Sequence, residues 1–192
     1  MSRRVFGAFA AIVVTTLFVG VVVSMFGHAE TNLALPLSDA PIIREQAAAK
    51  DLDPALIAAV IYAETKFDPR PSPAGAQGLM QILPATAYYL AHLSGGVSFT
   101  ASDLSEPSVN LAYGSYYLRY LLNHYDGDEM LAVAAYNAGL TNVDEWVARA
   151  HAEGTHLTPE AIPFPETREY VRRVLSAQNA YRATYPRQLG IQ

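Results

Sequence analysis

Apolar residues recur along this chain at the three-to-four spacing of a helix, and no stretch alternates apolar and polar residues long enough to mark a strand. "DPALIAAVIYAET" predicts a helix over residues 54–65, with Asp53 as its N-cap and Pro54 at the first helical position. A weaker helix over 42–50 precedes it. "PATAYYLAHLSGG" starts at Pro84 and stops at Gly95–Gly96. "PSVNLAYGSYYLRYLLNHYDG" predicts the longest helix, 107–125, with Gly127 as a left-handed stop. "DEMLAVAAYNAG" is capped by Asp128 and ended by Gly139, and "TNVDEWVARAHAEG" carries Trp146, expected to anchor that helix to the core. "PETREYVRRVLSAQNAYRATY" closes the series: Tyr170, Val174, Ala177 and Tyr181 share one face, while Arg172, Arg173 and Arg182 point elsewhere. The pattern predicts an all-α domain of roughly seven helices, without internal repeats.

One apolar run stands apart. Residues 5–26 carry no charge and follow Arg3 and Arg4. Roughly 20 apolar residues span a bilayer, and flanking arginines stay in the cytoplasm. The run reads as a membrane anchor that places the remainder outside the cytoplasm. Cleavage as a signal near Ala29, after "GHA", is the alternative, although such signals use only about 7–15 apolar residues. The organisation expected is therefore an anchor or signal over 1–29, a polar, proline-bearing linker over 30–41, an exported working domain over 42–185 and a tail over 186–192.

Composition narrows the function. The chain is 51% hydrophobic and 16% charged, which is a globular rather than a disordered balance. Its net charge of −5 falls further once Arg3 and Arg4 are set aside, so a nucleic-acid partner is not expected. Cysteine is absent, which excludes disulfides and thiolate metal sites. His92, His124, His151 and His156 lack the HExxH spacing, and "HAEGTH" reads as a polar loop, so no metal or other cofactor is expected. Twelve tyrosines against one tryptophan suit an aromatic cleft or an aromatic core equally well.

Three segments carry candidate chemistry. Glu64 lies four residues after Val60 and seven after Ile57, so it projects with Ile57, Val60 and Ile61 at the C-terminal end of its helix. Burial and the negative end of the helix dipole both disfavour its ionised form. A carboxyl kept protonated near neutral pH is what a general acid requires; a paired structural glutamate or a solvated last turn is the alternative. "SPAGAQGLMQILP" packs Gly75, Gly78 and Pro84 around Leu79, Met80 and Gln81, and is too apolar for an ordinary surface loop. A tight connection with Met80 as core filler would also explain it. In "AAYNAG", Tyr136 and Asn137 end a helix, where Asn can cap and Tyr can pack.

"AETKF", "GAQGLMQILP", "AAYNAGL" and "PFPETREYVRRV", in this order with helical spacers, resemble the four motifs of the lytic transglycosylase catalytic domain of the soluble type, related in fold to goose-type lysozymes. The likeness covers about residues 42–185. It implies a lysozyme-like helical fold with a glycan-binding cleft, peptidoglycan strands as substrate, and cleavage of the β-1,4 bond from N-acetylmuramic acid to N-acetylglucosamine. It implies Glu64 as catalytic acid/base, with Thr65, Met80, Gln81, Tyr136, Asn137, Glu166 and Tyr170 binding substrate or supporting the site, the Tyr170 hydroxyl lying near the Glu64 carboxyl. Thr65 stands where the family usually has serine, keeping a hydroxyl and adding a methyl. Leu140 replaces the proline common after the third motif. Partners in cell-wall machinery are left unspecified.

Most glycosidases use two carboxyl groups, and no second acid has a convincing position beside Glu64. Asp68 precedes Pro69 in "FDPR", a turn context. A single acid suffices if the substrate supplies its own nucleophile and closes a 1,6-anhydro ring. A muramidase using water on the same bond, or an inactive peptidoglycan-binding scaffold, are the alternatives.

Overall fold

The computed structural model describes residues 35–94 and 99–192. The expected anchor at residues 5–26 and the expected helix stop at Gly95–Gly96 lie outside the described residues. The folded unit comprises Pro36–Gln192. Its helices are α1 (Ala40–Lys50), α2 (Pro54–Thr65), α3 (Pro84–Ser94), α4 (Pro107–His124), α5 (Glu129–Ala138), α6 (Leu140–Ala152), α7 (Pro165–Thr184) and α8 (Pro186–Leu189). Short 3-10 turns at Ala101–Ser105 and Pro159–Ala161 interrupt the connections. Among the described residues there is no strand, only an isolated antiparallel bridge between Gln77 and Ile82.

The helix starts follow the sequence chemistry. Asp53 accepts a hydrogen bond from the Ala55 amide at 2.9 Å, and Asp128 accepts from the Leu131 amide at 3.0 Å. Proline opens α2, α3, α4, α7 and α8, where a missing N–H leaves no intrahelical bond unmade.

From Ala55 to Ile61 every residue of α2 is buried. The expected division into an apolar and a wet face does not hold over this stretch, because α2 is wrapped on all sides. It packs most extensively along α7, whose Tyr170, Val171, Val174, Ala177 and Tyr181 are buried. The two run antiparallel, and polar ties fix their register. At one end Asp53 Oδ2 accepts from Gln178 Nε2 at 2.9 Å and pairs with Arg182 at 2.6 Å. At the other end Tyr170 reaches Glu64. Trp146 on α6 packs edge-on against Phe164, the N-cap of α7, with ring centroids 4.9 Å apart.

Both margins of the expected domain are structured. The Tyr181 hydroxyl donates to the Pro36 carbonyl at 2.6 Å, within the stretch expected as linker. In the stretch expected as tail, Leu189 of α8 is 1% exposed and Arg44 of α1 donates to the Gln188 carbonyl at 2.5 Å. Burial of Leu189 together with the Arg44 bond holds that segment against the domain.

Candidate active site

The site forms where buried α2 reaches the surface. Glu64 is its penultimate residue, half-buried. Beyond it the chain turns sharply through two left-handed residues, Lys66 (φ 53°) and Phe67 (φ 64°), a conformation uncommon outside glycine. Phe67 packs against Tyr181, with centroids 6.2 Å apart, which secures this exit.

The Tyr170 hydroxyl donates to Glu64 Oε1 at 2.7 Å, from a side chain only 4% exposed. Burial pushes the Glu64 carboxyl up from the ordinary 4.5 to about 7; the hydrogen bond from Tyr170 and the nearby Arg173 guanidinium pull the other way and do not overcome it. Burial first, and the neighbouring Glu64 second, hold the Tyr170 hydroxyl well above its usual range, so it stays a donor. Arg173 also donates to the Ala63 carbonyl at 3.3 Å, one residue before the acid.

The segment 77–82 forms the facing wall, held from three helices. From α2, the Thr65 hydroxyl donates to the Leu79 carbonyl at 2.9 Å. From α4, Asn110 accepts from the Met80 amide at 2.8 Å and donates to the Gln77 and Leu104 carbonyls at 2.8 and 3.1 Å. From α5, the Tyr136 hydroxyl donates to the Met80 carbonyl at 2.9 Å. Gly78 is required here: its φ is +73°, and a β-carbon would overlap the Asn110 amide. Gln81 adopts φ +49° and its amide donates to the Gly78 and Arg70 carbonyls at 2.9 and 3.0 Å.

Each residue expected at the site has a definite place. Glu64, Thr65, Tyr136 and Tyr170 converge with the backbone of Met80. The Met80 side chain is fully buried against Gly114 rather than lining a surface, because Gly114 leaves room for its sulfur. Asn137 accepts from the Thr167 hydroxyl at 2.7 Å, joining α5 to the first turn of α7. Glu166 is exposed beside that contact, and Thr167, at 2%, is the buried partner. Asn110 and Thr167 were not singled out from the sequence, and Arg173, expected to point away from the Tyr170 face, instead reaches the Ala63 carbonyl and acts on Glu64. Asn110 carried no signal that set it apart, since Ser108, Ser115, Arg119 and Asn123 are polar residues of the same helix.

Around Glu64, the charge that acts on it is that of Arg173. Asp68 is turned to solvent in an ion pair with Arg70 at 2.7 Å. Next to the wall, Tyr117 packs on Tyr136 with centroids 5.4 Å apart, and a hollow of about 380 Å³ opens among Thr86, Tyr89, Tyr117, Tyr120 and Leu140. The arrangement can give a proton, hold the resulting carboxylate by a hydrogen bond and a cation, and take a proton back.

Residues 41–158 match the family model for the Transglycosylase SLT domain. The chain is 32% identical over 161 residues to the soluble lytic murein transglycosylase of Salmonella typhimurium, a match covering 82% of this chain and 25% of that one. It superimposes on a structure of lytic transglycosylase Slt from Pseudomonas aeruginosa, an inactive mutant with glutamine in place of glutamate, at a TM-score of 0.73 and 30% identity, covering 84% of this chain and 26% of that one. The 70 kDa soluble lytic transglycosylase of Escherichia coli superimposes at 0.72 and 28% identity, covering 82% and 26%. The chain spans about a quarter of the length of these relatives.

Proposed function

Since this chain belongs to the Transglycosylase SLT domain family, we propose that it is a peptidoglycan lytic transglycosylase cleaving the β-1,4 bond between N-acetylmuramic acid and N-acetylglucosamine, with Glu64 as its single general acid and base. The contact that carries this reading is the Tyr170 hydroxyl on Glu64 Oε1 at 2.7 Å, on a carboxyl whose pKa is about 7.

Glu64 begins neutral and protonates the glycosidic oxygen as the bond to the muramic acid anomeric carbon breaks. The sugar acquires oxocarbenium character, and Glu64 becomes a carboxylate held by Tyr170 and Arg173. It then removes the proton from the C6 hydroxyl of the same sugar, whose oxygen closes on the anomeric carbon. The product carries a 1,6-anhydro end, and no water is consumed. A proton affinity near neutrality lets one group serve both halves. The attacking hydroxyl is already tethered, and such groups reach effective molarities of about 10⁵ M or more. The outward-facing Asp68 and exposed Glu166 speak against a two-carboxylate hydrolase.

The wall segment 77–82 and the tyrosine-lined hollow beside it serve as the strand-binding cleft, with Gln81 and Asn137 near its polar edge. Residues 5–26, with Arg3 and Arg4 before them, would tether the domain on the periplasmic face of the inner membrane.

Digestion of purified sacculi followed by mass spectrometry tests the reaction. Anhydro-ended muropeptides, lighter by one water than reducing ends, are expected, and Glu64→Gln abolishes them with the fold intact. Reducing ends would assign hydrolysis, and activity in Glu64→Gln would remove the acid from its role.

A further inference from the structure

The tyrosine-lined hollow beside the wall draws its sides from three helices: Thr86 and Tyr89 from α3, Tyr117 and Tyr120 from α4, and Leu140 from α6. The first two sides brace each other through their rings. Tyr117 stacks on Tyr120, and Tyr89 meets Tyr120 edge-on with centroids 6.4 Å apart and the hydroxyls at 3.4 Å. The third side depends on where α6 begins. Locally that start is loosely fixed. α6 opens at Leu140 without the proline that opens α2, α3, α4, α7 and α8, and its N-cap, Gly139 at φ 85°, has no side chain to cap with. Asn142 donates back to the Ala138 carbonyl at 2.7 Å, a bond confined to the same turn.

The tie across to α4 is made by Asp144, four residues after Leu140 and so on the same side of α6. Its Oδ1 accepts from His124 Nε2 at 2.9 Å and from the Tyr125 hydroxyl at 3.0 Å. Both donors stand at the C-terminal end of the helix that carries Tyr117 and Tyr120. Tyr125 is buried, and burial first, then the Asp144 bond, hold its hydroxyl above the usual range, so it stays a donor. The Tyr120 hydroxyl is also raised, first by its contact with Tyr89 and by burial, then by the Asp144 charge, which puts that carboxylate within electrostatic reach of the hollow.

We propose that Asp144 is a positioning residue for substrate binding: by gripping His124 and Tyr125 it holds the Leu140 side of the hollow in place. The inference rests on the hollow being part of the strand-binding cleft. Asp144 does not itself border the hollow; it acts through the first turn of α6. Glu64 stands on α2 and is held by Tyr170 of α7, so loss of the grip weakens strand binding and leaves the chemical step alone. The His124 and Asp144 side chains are 37% and 43% exposed, which sets the scale at a several-fold effect rather than a loss of function.

Binding is read by titration calorimetry of soluble, uncrosslinked peptidoglycan strands into the full chain carrying Glu64→Gln, which is expected to leave them uncut. Turnover of the same strands is read with Glu64 intact. Asp144→Ala is expected to raise Kd and KM about fivefold while kcat stays within about twofold. Asp144→Asn keeps an acceptor oxygen for His124 and Tyr125 and is expected to recover most of that loss. If circular dichroism shows that Asp144→Ala misfolds, Tyr125→Phe decides, since it removes only the hydroxyl that reaches Asp144, and the same split between KM and kcat is expected. An unchanged Kd, a fall in kcat as large as the rise in KM, or no recovery in Asp144→Asn overturns the proposal. Reducing ends in place of anhydro ends would revise the reaction and leave this result standing. A parent chain that binds no strands would remove the hollow from the cleft, and this role of Asp144 with it.

Discussion

The decisive residue is a carboxyl whose environment holds its proton to about pH 7. Turnover by the proposed mechanism needs Glu64 protonated at the start, so the rate is expected to fall as pH rises through about 7. Tyr170 and Arg173 both favour the charged form. Tyr170→Phe therefore raises the carboxyl's pKa further and moves the alkaline limb of the pH–rate profile upward, while lowering the maximum rate; Arg173→Gln moves it the same way. A limb that stays put in both variants would assign it to another group. The same proton affinity acts on stability. Below pH 4.5 the carboxyl is protonated folded or unfolded, and it has no effect. Between 4.5 and about 7 the native state keeps a proton that the unfolded chain has lost, so stability falls as pH rises, and above about 7 the loss is complete. Glu64→Gln removes this dependence. It is expected to stabilise the protein by at most ~3 kcal/mol at pH 8 and by nothing at pH 4, read from denaturant midpoints at the two values.

At the scale of elements, the helix starts were legible because their signals are local: Asp53–Pro54, Asp128 and the opening prolines act within one turn. The bonds that assemble the site were not, since they join distant segments. Nothing near Asn110 in sequence says that it will satisfy Met80, Gln77 and Leu104 at once. Thr167 and Glu166 stand side by side, and only the rotation of α7 decides that the threonine faces inward. Glu64 was legible from its spacing to Val60 and Ile57, whereas the enclosure of α2 on every side from Ala55 to Ile61, opening only at the last turn that carries Glu64, was not. Asn110→Ala tests the wall. It removes three hydrogen bonds and takes this partner from the buried Met80 amide and Leu104 carbonyl, while the Gln77 carbonyl keeps the Ile82 amide, so a loss of roughly 3 kcal/mol is expected, together with reduced turnover, as the segment 77–82 loosens. Thermal melts and sacculus digestion check the two parts, and a variant as stable and active as its parent would deny Asn110 that role.

Across the whole molecule, the resemblance of four short motifs carried the family correctly, while the extent of the folded unit needed the structure. Pro36 and Leu189 both belong to it, tied to Tyr181 and to the core near Arg44. Ending the chain after Tyr185 exposes what Leu189 covers, and a destabilisation of about 2 kcal/mol is expected in chemical denaturation. No change would mean that α8 merely rests on the surface. The antiparallel pairing of α2 with α7 has one more consequence. The hydroxyl that steadies the acid is 106 residues downstream of it. A chain still emerging during biosynthesis holds Glu64 long before it holds Tyr170. A fragment that stops short of residue 170 therefore carries this carboxyl without the hydroxyl that holds it, and the two ends of the pair meet only once the last long helix has been laid along α2.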